Sequence, residues 1–188
     1  MNPRIEDLRA LLTTYVPACD GEAMHRQRMM ELLDSQGDPL SRGHYEPGHF
    51  TASGFVLSPD GGSVLLVLHR KLNRWLQPGG HIDPGDADLS AAACREVAEE
   101  TGLTGLKPAD GFIGIYDLDV HPIPARKAEP AHEHFDVRFL LRASATDITR
   151  NDETHDAEWV PLSELATRMH DPAEARVIRK LRGLGSWG

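Results

Sequence analysis

Long apolar runs are missing from this sequence: no stretch approaches the roughly 20 apolar residues that a membrane-spanning helix requires. The first residues, MNPRIEDLRALLTTY, carry Glu6 and Asp7 and no apolar block, so they do not read as a secretory leader. Cysteine is scarce, with only Cys19 and Cys94. A disulfide framework is therefore not expected, and a reducing, cytoplasmic setting fits. Basic residues are outnumbered, 20 Lys and Arg against 29 Asp and Glu, for a formal charge of -9. That balance argues against a nucleic-acid backbone as the main partner. Internal repeats and low-complexity tracts are also absent.

What is present suits one folded domain with an extension. The 188 residues are 40% hydrophobic and 26% charged, enough for a real core. The most informative stretch is Gly79 to Leu103, GGHIDPGDADLSAAACREVAEETGL. A glycine pair and polar loop lead into an alanine-rich helix with Asp86 or Asp88 as N-cap and Gly102 as the stop. Glu96, Glu99 and Glu100 follow at i, i+3 and i+4, so their carboxylates share one face. Like charges at that spacing repel. A hard divalent cation such as Mg2+ or Mn2+ relieves the repulsion. The plainer reading is a solvated face with Arg95 and Glu99 paired at i, i+4.

REVAEETGL, Arg95 to Leu103, preceded by Gly79-Gly80 and Gly85-Asp86, resembles the Nudix box. Its second half matches at every fixed position. In the first half, Asp86 stands where the box has glutamate, and one extra residue precedes Arg95. The resemblance covers about residues 48–170, because Glu158 to Leu165 is similar to the closing strand and helix of many Nudix domains. It implies an α/β (α+β) fold, an α/β/α sandwich with a mixed β-sheet. Residues 1–45 would be an N-terminal helical extension, 46–170 the Nudix domain, and 171–188 a C-terminal helix packed on it.

The implied activity is Mg2+-dependent hydrolysis of the pyrophosphate linkage in a nucleoside diphosphate joined to another moiety, with Mn2+ as a substitute. Glu96, Glu99 and Glu100 would hold the metal, the main-chain carbonyl of Gly80 would add a ligand, and Arg95 would orient the carboxylates. Glu96 serves as general base in some members and as ligand in others, and both roles stay open. Two other readings have a place. A non-catalytic nucleotide-sensing module would be expected to lose box carboxylates, and all three stand here. An isopentenyl-diphosphate isomerase shares the fold, and Gly80-His81 is similar to it, but its cysteine is missing from Trp75 to Gly80.

The remainder of the chain supplies the other elements. Residues 5–16 and 22–34 predict amphipathic helices, with Ile5, Leu8, Leu12 and Val16 on one face of the first. They would cap the site or leave a homodimer interface. Residues 35–48 read as a connector. Phe50–Ser58 and Val64–His69 predict a hairpin around the PDGG turn. Arg70, Lys71 and Arg74 could meet phosphate oxygens, and Trp75 packs beneath the loop. A strand is expected over 111–120, then a loop over 121–130. HEHFDVRFLLRAS alternates, so one face is core and the other either lines a site or meets water. Glu133, Asp136 and Glu153 are candidates for a further carboxylate. His132 and His134 at i, i+2 could clasp a transition metal, on two ligands only. A polar loop over 144–156, a strand over 157–161 and helices over 162–169 and 172–184 complete the expectation.

Overall fold

The computed structural model describes residues 2–69, 73–109, 112–126, 129–149, 154–169 and 174–184. Its helices are α1 (Pro3–Thr14), α2 (Asp20–Leu33), α3 (Leu89–Thr101), α4 (Leu165–Arg168) and α5 (Ala175–Leu184). Its strands are β1 (Gly48–Leu57), β2 (Ser63–His69), β3 (Arg74–Leu76), β4 (Gly79–His81), β5 (Lys107–Pro108), β6 (Asp117–Ile123), β7 (His132–Arg142) and β8 (Thr154–Pro161). Contacts divide the chain into two compact units: Met1–Ser53, Gly79–Ala93 and Ile113–Phe139 in the first, Gly54–Pro78, Cys94–Phe112 and Leu140–Gly188 in the second. β1 and β7 run through both.

In the first unit, Asn2 caps α1 by accepting from the Arg4 N–H, and Pro3 starts the helix. The two helices cap each other's carboxyl ends. Arg9 donates to the Leu33 carbonyl at 3.2 Å, and Arg26 to the Leu12 carbonyl at 2.6 Å. Leu8, Leu12, Met29, Leu32 and Leu33 are buried. Val16 departs from its expected place on the apolar face. It lies beyond the end of α1 and is 84% exposed.

α2 also serves the sheet. Its buried Glu22 accepts from the Leu118 N–H of β6 at 3.4 Å, and His25 Nδ1 accepts from Val120 N–H at 3.2 Å. Those N–H groups form the outer edge of β6, whose inner edge pairs with β7. Pro122 continues the outer row, where a missing N–H costs no ladder bond. β6 thus starts six residues later than the sequence suggested and takes in part of the expected 121–130 loop. Partner register decides this: β6 aligns Asp117 with Arg138 and Ile123 with His132. Ile113, expected in the strand, is 90% exposed.

The Glu133 N–H donates to the Pro47 carbonyl at 2.9 Å in the first unit, and the Ala143 N–H to the Leu57 carbonyl at 2.9 Å in the second. Both numbers advance together, so β1 and β7 are parallel. The other recorded pairings are antiparallel, and the sheet is mixed. Gly48 permits this approach, since a Cβ there would stand 1.9 Å from the Glu133 carbonyl oxygen.

In the second unit, β2 pairs with the end of β1, with β3 and with β8. Val64 to Val67 are buried, as the continuous apolar run predicted. Leu165, Val177, Ile178 and Leu181 bury the apolar sides of α4 and α5.

Candidate functional site

α3 is set up by local polar chemistry. The Asp88 carboxylate accepts from the Ala91 N–H at 2.8 Å and is the cap. Asp86 instead closes the preceding turn, accepting from the Asp83 N–H at 2.8 Å. Gly102 ends the helix at φ 74°, its N–H bonded to the Ala98 carbonyl at 2.9 Å. On this helix, Arg95 Nη1 donates to Glu96 Oε1 at 3.0 Å and to both Glu99 oxygens at 3.2 Å. One guanidinium therefore draws two of the three carboxylates together. The Glu96 side chain is 16% exposed and that of Glu99 57%, so the cluster grades from sheltered to open. The arrangement offers several carboxylate oxygens from one helical face, a donor set for a hard cation.

The alternate face of the first unit's strands is polar and largely buried. His49, Thr51 and Ser53 come from β1, and His132, His134, Asp136 and Arg138 from β7. β6 supplies Asp117, Asp119 and His121. His81 of β4 sits opposite Thr51. Asp136 accepts from Thr51 Oγ1 at 3.2 Å, Ser53 Oγ at 2.8 Å and Arg138 Nε at 2.8 Å. Arg138 also donates to Asp117 at 3.2 Å and Asp119 at 2.8 Å. Burial alone would lower the Arg138 pKa, but Asp119, Asp136 and Asp117 raise it. For Asp119, burial pushes upward, and Arg138 and His121 outweigh it, holding the carboxyl below its usual range. The β7 face that the sequence left between site and solvent is thus mostly an interior network.

Histidines crowd the start of the same face. The His49 ring lies 5.0 Å from His132 and 4.9 Å from His134, centroid to centroid. His81 stands 5.2 Å from His49, and His121 5.7 Å from His134. Burial first, then the neighbouring imidazoles, pushes His49 down to about 4 and His134 to about 2. Both are neutral near pH 7.

The remaining candidates have protein partners. Glu133 is ion-paired with Arg28 of α2, whose guanidinium lies 5.5 Å from the Phe135 ring centroid. Arg74 donates to Glu174 at 2.6 Å. Trp75 lies under Arg168, whose guanidinium is 5.7 Å from the ring centroid. Arg70, Lys71 and Glu153 fall outside the described residues. The structure gathers Arg95, Glu96 and Glu99 in the second unit, while Gly80 pairs with Ala52 in the first.

Comparison with known proteins turns this geometry into a family. The model of the NUDIX domain matches residues 48–181. This chain belongs to the Nudix family. Among curated Nudix-like relatives, "Nucleoside diphosphate-linked moiety X motif 6" of Xenopus laevis is 34% identical over 129 residues, 64% of this chain and 55% of that protein. The chain thus spans only about half of that relative's length. A "Probable DHNTP pyrophosphohydrolase" of Lactococcus lactis is 30% identical over 137 residues, 72% of this chain and 78% of that one. A solved Nudix family hydrolase from Clostridium perfringens aligns at TM-score 0.54 and 22% identity, covering 72% of this chain and 97% of its own. That likeness carries the Nudix fold. The chemistry of the family is hydrolysis of phosphoanhydride bonds. Among the described residues, no helix is long and apolar enough to cross a membrane.

Reading the sequence missed His49, His81 and His121, and the Asp117, Asp119 and Arg138 network. The alternation HxHxDxR in β7 was the available signal. Its partners sit on β1, far upstream in sequence, and on the neighbouring strand β6.

Proposed function

We propose that this chain is a Mg2+-dependent Nudix diphosphatase acting on a nucleoside diphosphate joined to another moiety, with Mn2+ able to substitute. The observation carrying this reading is the Glu96, Glu99 and Glu100 face, on which Arg95 draws Glu96 and Glu99 together, within the stretch that resembles the Nudix box. The donor set fits a hard divalent ion: it is all oxygen, anionic and open at Glu99. Such an ion supplies charge neutralisation at phosphate oxygens and activation of water. Glu99 and Glu100 would bind it, Glu96 would bind it or take the proton from water, and Arg95 would hold Glu96 and Glu99 in position. Arg74, Glu133 and Asp136, which the sequence offered for substrate, each already have a protein partner.

The test is a screen of nucleoside diphosphate derivatives with Mg2+ and Mn2+, with both products identified. The Glu99→Gln, Glu100→Gln double variant should lose turnover by at least about 100-fold while keeping its fold. Wild-type turnover in that variant would end the assignment. Nucleotide binding without any product would favour a sensing module instead.

A further inference from the structure

We propose that His49, His132 and His134 form a site for a borderline divalent transition metal, with Zn2+ the fitting ion. The site uses none of the box carboxylates, and the inference does not depend on the diphosphatase reading. One nitrogen from each histidine lies within 4.8 Å of the other two. His49 is 1% exposed, and its Nε2 is buried without a hydrogen-bond partner. Leaving a polar nitrogen so placed is costly, and a metal bond removes the cost.

The tautomers suit coordination. The His49 Nδ1 lies 3.1 Å from the His44 carbonyl oxygen, and the His132 Nδ1 2.8 Å from that of Pro130. A carbonyl can only accept, so each Nδ1 carries a proton and Nε2 is the ring nitrogen left to face a metal. Metal-binding histidines are oriented by the same kind of backbone bond. Tyr45 packs its ring edge against His132 at 5.0 Å.

The fold brings the three together. His132 and His134 share a face of β7 by alternation, and the parallel β1 lays His49 beside them. A donor set of imidazole nitrogens selects zinc, nickel or copper over magnesium. Zinc bonds of about 2.0–2.1 Å place tetrahedral ligand nitrogens roughly 3.4 Å apart, so the rings close inward by modest side-chain rotation. Three ligands leave a fourth position for water. The His81 ring lies 5.4 Å from that of His134, a further imidazole beside the three.

The test uses the full chain stripped with a chelator. Zn2+ is titrated against a chromophoric chelator, and Co2+ is followed by its visible absorption. The expected result is one equivalent of zinc and a nitrogen-type cobalt spectrum. His49→Gln, His132→Gln and His134→Gln should each weaken zinc binding by at least about tenfold. The Glu99→Gln, Glu100→Gln variant should bind zinc as wild type does. Circular dichroism checks the fold of each, and His134, the least buried of the three, remains the deciding position if a buried variant unfolds. Absence of stoichiometric zinc, or equal affinity in the folded His134→Gln protein, overturns the proposal.

Discussion

At the residue scale, two arginines do opposite kinds of work. Arg95 touches Glu96 and Glu99 of its own helix, and its effect on chemistry would be positional. Arg95→Ala should raise the Mg2+ concentration needed for half-maximal turnover and lower turnover by about 10–100-fold, with Arg95→Lys recovering part. An unaltered Mg2+ profile would show that Arg95 does not set the carboxylates. Arg138, by contrast, is a buried cation among three aspartates. Removing it leaves those charges uncompensated. Arg138→Met should cost about 3–5 kcal/mol in urea unfolding. The excess negative charge left behind makes this substitution worse than deletion of a balanced pair.

At the element scale, α2 completes β6. Glu22→Gln replaces one carboxylate oxygen with an amide donor, which would face either the Ala18 or the Leu118 N–H group. The expected loss is about 1–3 kcal/mol, with faster amide exchange at Leu118. This scale also explains what could be read in advance. α3 and its carboxylates were legible because capping, spacing and stop all lie within 25 residues. Even the choice between Asp86 and Asp88 needed only the local turn. β6 was misplaced because its register depends on β7, and an apolar Ile113 looked like strand until its exposure was known. His49 was invisible because His132 and His134 sit more than 80 positions away across a parallel pairing. Arg138 read as one polar residue of an alternating strand, with Asp136 its only local aspartate and Asp117 and Asp119 supplied by β6.

At the scale of the whole molecule, the N-terminal helices are part of the folding unit that holds β6. A chain starting at residue 46 should expose that edge strand and lose solubility relative to the full protein, which sedimentation can measure. Acid stability follows from Asp119. Its folded pKa lies below its ordinary value of 3.8, so the unfolded chain takes up protons first. The stabilisation is complete above the ordinary carboxylate range and is lost as pH falls from there toward the folded value. Melting temperature should drop through that window, and Asp119→Asn should flatten the acid limb.

α3 stops at Thr101 with no basic side chain in its last turn. The negative pole of the helix dipole therefore falls where Glu99 and Glu100 already stand, the reverse of the usual pairing. The carboxyl end of α3 should be its weakest turn in divalent-free buffer. Adding Mg2+ should slow amide exchange there before it changes any other part of the molecule.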